Sequence, residues 1–113
     1  MKDRLFLLSP GFFKEQQGPF YCADSVPIEG LLSLFPSLHE LIEVNHVSFQ
    51  KPREMIVALL GTDNQSAPVL VLGTDENVVE DVAVKTVGGE RYIDNEGDIR
   101  RYLSKRFALP TAA

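Results

Sequence analysis

Two short apolar runs constrain this chain more than any other feature: Leu5-Phe6-Leu7-Leu8, closed by Ser9-Pro10-Gly11, and Val69-Leu70-Val71-Leu72, opened by Ala67-Pro68. The first is unbroken and does not alternate, as expected of a strand buried on both faces. The second reads as a further strand, and Pro68, which has no N–H to give to a ladder, belongs at its first position. Strands of this kind need helices to cover them, so the intervening sequence must supply amphipathic helices.

It does. From Val26 to Phe35 the apolar residues Val26, Ile28, Leu31, Leu32, Leu34 and Phe35 recur at three- and four-residue steps, which predicts a short helix stopped by Pro36. Asp24 or Ser25 would cap it, and Pro27 is tolerable in its first turn. Leu41 to Phe49 is rich in apolar and β-branched residues and reads as a second strand. Pro52 then opens a helix carrying Met55, Ile56, Leu59 and Leu60, which Gly61 ends. Gly11 to Tyr21 holds glycine, proline and polar residues and reads as a loop. The acidic, turn-rich stretch 73–81 reads as an exposed excursion, and Val82 to Val87 as a strand or an extended loop. Gly88-Gly89 turns the chain into a strand at Glu90 to Ile93. Asp94 or Asn95 caps a last helix with Ile99, Tyr102, Leu103 and Phe107 on one face.

The predicted order is therefore β-α-β-α-β-β-α: an α/β fold with a mixed four-stranded sheet, flanked by helices on both faces. The first β-α-β unit should be parallel with a right-handed crossover. With 113 residues, of which 44% are hydrophobic and 24% charged, the chain fits one domain spanning 1–113 with a core of its own.

Composition also removes several function classes. The net charge is -5 and the pI about 4.9, and the basic residues gather only at Lys51/Arg53 and at Arg100/Arg101/Lys105/Arg106. Neither group makes the basic stripe that a phosphate backbone requires, so nucleic acid is not expected as a partner. No apolar stretch approaches bilayer-spanning length, so no membrane is expected either. His39 and His46 stand without cysteine or carboxylate partners at metal-ligand spacing and read as structural or solvent-facing, which leaves no metal site. A single cysteine cannot form an internal disulfide, which fits a reducing, cytoplasmic setting.

That cysteine, Cys22, lies in Phe20-Tyr21-Cys22-Ala23-Asp24-Ser25, immediately before the first predicted helix. A helix N-terminus offers partial positive charge and unpaired N–H groups, which favour a thiolate. Ser25, one turn later, could donate a hydrogen bond to that thiolate, whereas the Asp24 carboxylate disfavours it. Cys22-x-x-Ser25 lacks a second thiol, so a dithiol cycle within one chain is excluded and only monothiol chemistry through an external thiol remains.

The element order, Cys22 before the first helix and Ala67-Pro68 before the third strand resemble the thioredoxin-like superfamily, including glutaredoxins and the amino-terminal domain of glutathione transferases. The likeness runs from Leu5 to Phe107 and is greatest to a small uncharacterised bacterial thioredoxin-like family. The resemblance implies that Pro68 is cis and lies beside Cys22. It also implies that the backbone of Ala67 pairs with an extended thiol peptide, with Tyr21 flanking the same site. Ile99, Tyr102 and Leu103 match the Ile-x-x-Tyr-Leu helix of glutathione-transferase domains. Asn95 and Glu96 stand where that family carries an acidic-serine pair for the γ-glutamyl group, and Glu96 would repel its carboxylate.

Two functions are expected from this reading. The first is monothiol thiol–disulfide exchange or deglutathionylation, with Cys22 as nucleophile, Ser25 as its hydrogen-bond partner, Tyr21, Ala67, Pro68, Asn95 and Glu96 as substrate-binding residues, and glutathione as a candidate cofactor. The partner would be a thiol or disulfide peptide or protein, or glutathione. The second is a redox-inert module that uses the same groove to bind a peptide or protein.

Overall fold

A computed structural model describes residues 1–73 and 79–113. The elements run β1 (Arg4–Leu8), β2 (Phe12–Lys14), β3 (Gln17–Phe20), α1 (Val26–Leu34), α2 (Leu38–Leu41), β4 (Glu43–Val47), α3 (Glu54–Leu60), β5 (Val69–Val71), β6 (Lys85–Val87), β7 (Glu90–Ile93) and α4 (Glu96–Arg106). Five strands form one mixed sheet in the order β4-β1-β5-β7-β6. The β1–β4 pair is parallel, in register Leu5 to Val44 and Leu7 to His46, and the other pairs are antiparallel.

The two apolar runs sit at the centre of this sheet for the reason their composition suggests. Side chains alternate between faces along a strand. Leu5, Leu7, Leu70, Leu72 and Ile93 point to one face, where they pack with Ile28 and Leu32 of α1, Leu38 of α2 and Ile99, Tyr102 and Leu103 of α4. Phe6, Leu8, Val69, Val71 and Tyr92 point to the other, against Ile56 and Leu60 of α3. Helices therefore lie on both faces, and neither β1 nor β5 has a face left for polar residues.

Four expectations need correction. Leu41 ends a further short helix, α2, that the predicted order lacks, and the second strand of that order runs only from Glu43 to Val47. The sheet has five strands rather than four, because Lys85–Val87 pairs with β7 through a two-residue turn at Gly88 (φ 52°) and Gly89 (φ 83°). The stretch from Gly11 to Tyr21 is not a loop: β2 and β3 make a separate antiparallel hairpin in which Lys14 faces Gln17. Its tip, Glu15 (φ 49°) and Gln16 (φ 69°), has the doubly left-handed geometry that suits the twist of a hairpin. Neither residue is among those that usually mark such a turn, which is why the hairpin was hidden. Finally, Pro52 precedes α3 rather than opening it, since Arg53 occupies its N-cap position. The excursion expected over 73–81 falls largely outside the described residues. Among the described residues no helix is long and apolar enough to cross a membrane.

Candidate functional site

Cys22 stands where β3 hands over to α1. Its carbonyl accepts from the N–H groups of Ser25 (3.2 Å) and Val26 (3.3 Å), a tight turn that starts the helix. Ser25 is the N-cap residue, yet its side chain makes no cap hydrogen bond. Its Oγ instead accepts from the buried N–H of Leu8 at 3.3 Å, so the hydroxyl ties the start of α1 to the end of β1. Ser25 is accordingly buried, Cys22 half-buried, and Tyr21 exposed.

Ala67 and Pro68 reach the same region at the start of β5, the strand that pairs with β1. The Ala67–Pro68 peptide bond is cis. Ala67 and Cys22 each pack, half-buried, on the α3-side core cluster, together with Phe12 and Phe49. A groove beside Ala67 is lined by Leu8, Phe49, Lys51, Arg53 and Gln65. Among the described residues, neither the N–H nor the carbonyl of Ala67 takes a backbone hydrogen bond.

Arg53 is the residue that the sequence reading missed. It is only 9% exposed, an unusual degree of burial for a guanidinium. Carbonyl oxygens hold it: Nε and Nη2 donate to Phe49 O at 3.2 and 2.8 Å, and Nη1 donates to Gln65 O at 2.7 Å. Its backbone N–H donates to Gln65 Oε1 at 2.8 Å, and its Cζ lies 5.7 Å from the centre of the Phe49 ring. Among the described residues no carboxylate pairs with it. Burial lowers the pKa of Arg53 from the ordinary arginine value, and Coulombic attraction to Cys22 acts in the opposite direction. The hint in the sequence is the closeness of Arg53 to Lys51, a basic pair too small for a nucleic-acid stripe.

Aromatic packing frames the site. The rings of Phe12 and Phe49 stack with centroids 4.5 Å apart and planes 5° from parallel, and Phe20 tilts against Phe12 at 6.2 Å. The hairpin β2–β3 is therefore docked onto the segment that carries Arg53.

Asn95 and Glu96 are engaged elsewhere. Asn95 caps α4, its side chain accepting from the Asp98 N–H at 3.0 Å, and Glu96 pairs with Arg100 through two hydrogen bonds of 3.1 Å each. Neither lines the groove beside Ala67. His46 Nε2 meets Glu29 Oε2 at 2.9 Å, and His39 lies exposed on α2. Among the described residues no three metal-ligating side chains gather at one place.

A family model matches residues 2–111, nearly the whole chain. The chain belongs to DUF3088, a family of proteins of unknown function. No curated protein and no solved structure matches it. Membership thus leaves the arrangement of Cys22, Arg53 and Ala67 as the ground on which a function is argued.

Proposed function

We propose that the chain is a thioredoxin-like protein that carries out monothiol exchange through Cys22 in a reducing compartment such as the cytoplasm. The reading is supported above all by the meeting of three segments distant in sequence. Cys22 enters before α1, Arg53 before α3 and Ala67 before β5, and all three lie at one end of the sheet. The parallel β1–β4 pair, joined through α1, supports the reading, since the first β-α-β unit is expected to be parallel.

In this reading the thiolate of Cys22 attacks one sulfur of a disulfide R–S–S–R′. A new Cys22–S–S–R bond forms, the old S–S bond breaks, and R′–S⁻ leaves with the electron pair. A second, external thiolate then attacks the R sulfur and restores the Cys22 thiolate. Arg53 holds negative charge on the Cys22 sulfur through both steps. The Ser25 oxygen accepts from Leu8, and among the described residues no hydrogen bond joins it to the Cys22 sulfur, so its role in this reading is to anchor the start of α1 beside Cys22. The N–H and carbonyl of Ala67 pair with the backbone of an extended thiol peptide; the buried Pro68 follows Ala67, and the exposed Tyr21 precedes Cys22. Glutathione is a candidate for the external thiol, although Glu96 and Asn95 are occupied within α4.

The test is alkylation of the native protein by iodoacetamide across pH 5 to 10, paired with turnover of a glutathionylated peptide. Cys22 should react in the folded protein, and Cys22→Ser should abolish turnover. A thiol that reacts only after denaturation in urea would sink the proposal.

The unbonded backbone at Ala67 equally favours a second reading, a redox-inert module that binds an extended peptide. Capture of a peptide by Cys22→Ser at undiminished affinity, together with no turnover by the unsubstituted protein, would select it.

A further inference from the structure

The groove beside Ala67 does not stop at Arg53. Phe49 and Gln50 form one wall of it and also one wall of a second depression, bounded by Phe13, Lys14, Gln17 and Phe20 of the hairpin. The two depressions thus adjoin across Phe49, and the hairpin lengthens the site well past what a small thiol needs. Phe13 is 53% and Phe20 39% exposed, so the extension offers apolar surface to something outside the chain.

Charge indicates what that is. Around α4 the cations are neutralised from within: Arg100 by Glu96, Arg101 by Asp98, Lys105 by Asp81 and Lys85 by Asp94. At the groove the pattern reverses. Lys14, whose Nζ lies 5.4 Å from the centre of the Phe49 ring, Lys51 and Arg53 have no carboxylate partner among the described residues. Two acids, Glu15 and Asp63, also line the depressions, which leaves one net positive charge there on a chain whose net charge is -5. Cations left unpaired beside exposed aromatic rings match a ligand that brings both carboxylates and apolar side chains, and complementary charge selects and orients such a ligand.

We propose that the joined groove binds an extended, acidic segment of another protein, with its carboxylates on the exposed Lys14 and Lys51, in the field of the buried Arg53, and its apolar side chains on Phe13, Phe20 and Phe49. The proposal rests on the groove taking an extended backbone at Ala67 but not on Cys22 turning over. A peptide of alternating residues places its side chains on opposite sides, so one set can meet the rings while the other meets the cations.

The experiment uses the full chain carrying Cys22→Ser and cysteine-free, fluorescein-labelled octapeptides read by anisotropy, so failure of thiol exchange cannot affect it. An octapeptide alternating Glu and Leu should bind at least about tenfold more tightly than one alternating Lys and Leu, a difference of about 1.4 kcal/mol. Adding Lys14→Glu and Lys51→Glu, both at exposed positions, should weaken the acidic peptide about tenfold. Adding Glu15→Gln and Asp63→Asn instead should tighten it. Equal binding of the two peptides, no binding of either, or indifference to the lysine substitutions overturns the proposal. Tighter binding of an eight-nucleotide single-stranded RNA overturns it as well, as does self-association that the lysine substitutions abolish. Circular dichroism melts of each variant establish that the fold is retained.

Discussion

Ser25 shows how one hydroxyl can serve a fold and a site together. At a helix N-cap a serine normally accepts from an N–H of its own helix. Here it accepts from Leu8, across the junction that sets Cys22 beside the end of β1. Removing the oxygen would leave the Leu8 N–H buried without an acceptor, and an unsatisfied buried donor costs about 1–3 kcal/mol. At 3.3 Å the bond is long, so Ser25→Ala should lose about 1 kcal/mol, the low end of that range, in urea titration. Ser25→Thr, which keeps the oxygen, should recover most of it. No change in Ser25→Ala would show that water reaches Leu8. The residue scale is also where the sequence was least informative about the site. Cys22 and Ala67-Pro68 were legible because turn and strand signals flank them. Arg53 was not, because what distinguishes it is burial among the carbonyls of Phe49 and Gln65, and no local pattern announces that a loop will fold around a guanidinium.

At the scale of elements, legibility followed turn chemistry. The β6–β7 hairpin turns on Gly88-Gly89, residues that take positive φ freely, and its turn could be read. The β2–β3 hairpin turns in the same left-handed manner on Glu15-Gln16, which pay a conformational penalty there, so a strand-forming stretch looked like a loop. The docking of Phe12 and Phe20 near Phe49, a tertiary contact, accompanies the turn that local preference opposes. The last helix is the converse case, since Asn95, the acids Glu96 and Asp98 and the basic end at Lys105 and Arg106 all appear where capping and the helix dipole want them. Asn95→Ala should therefore destabilise the protein by about 1 kcal/mol, and Asn95→Asp, which keeps an acceptor for the Asp98 N–H, should not. Chemical denaturation of the two variants checks this, and equal stability of both with the unsubstituted protein would mean that the cap contributes nothing.

At the scale of the whole molecule, a buried polar group near the amino-terminal strand reaches β4, the end of β5 and α4. Asp3 is 4% exposed. Its Oδ1 accepts from the Gly73 N–H at 2.7 Å, just past β5, and its carbonyl accepts from Glu43 at the start of β4. Tyr102 of α4, 2% exposed, feels the same carboxylate. Burial, reinforced by the Asp3 charge and only partly offset by Arg106, raises the Tyr102 hydroxyl to about 12 from its ordinary 10.0. The folded protein therefore keeps that proton at pH values where the unfolded chain has released it. A group whose pKa is raised on folding contributes stability that is fully present below the unfolded value and declines as pH climbs toward the folded one. Stability should accordingly fall as pH rises from about 10 to about 12, steepening through that window as the unfolded chain comes to bind fewer protons than the folded one. Tyr102→Phe removes the titrating hydroxyl while keeping the ring that packs with Leu5, Ile28 and Leu103. Urea titrations at a series of pH values should show the gap between the unsubstituted protein and Tyr102→Phe moving against the unsubstituted protein across the window, while it stays constant below pH 9. A gap independent of pH throughout would mean that the hydroxyl ionises alike in the folded and unfolded chains, and that the joint between the amino-terminal strand and the last helix admits water.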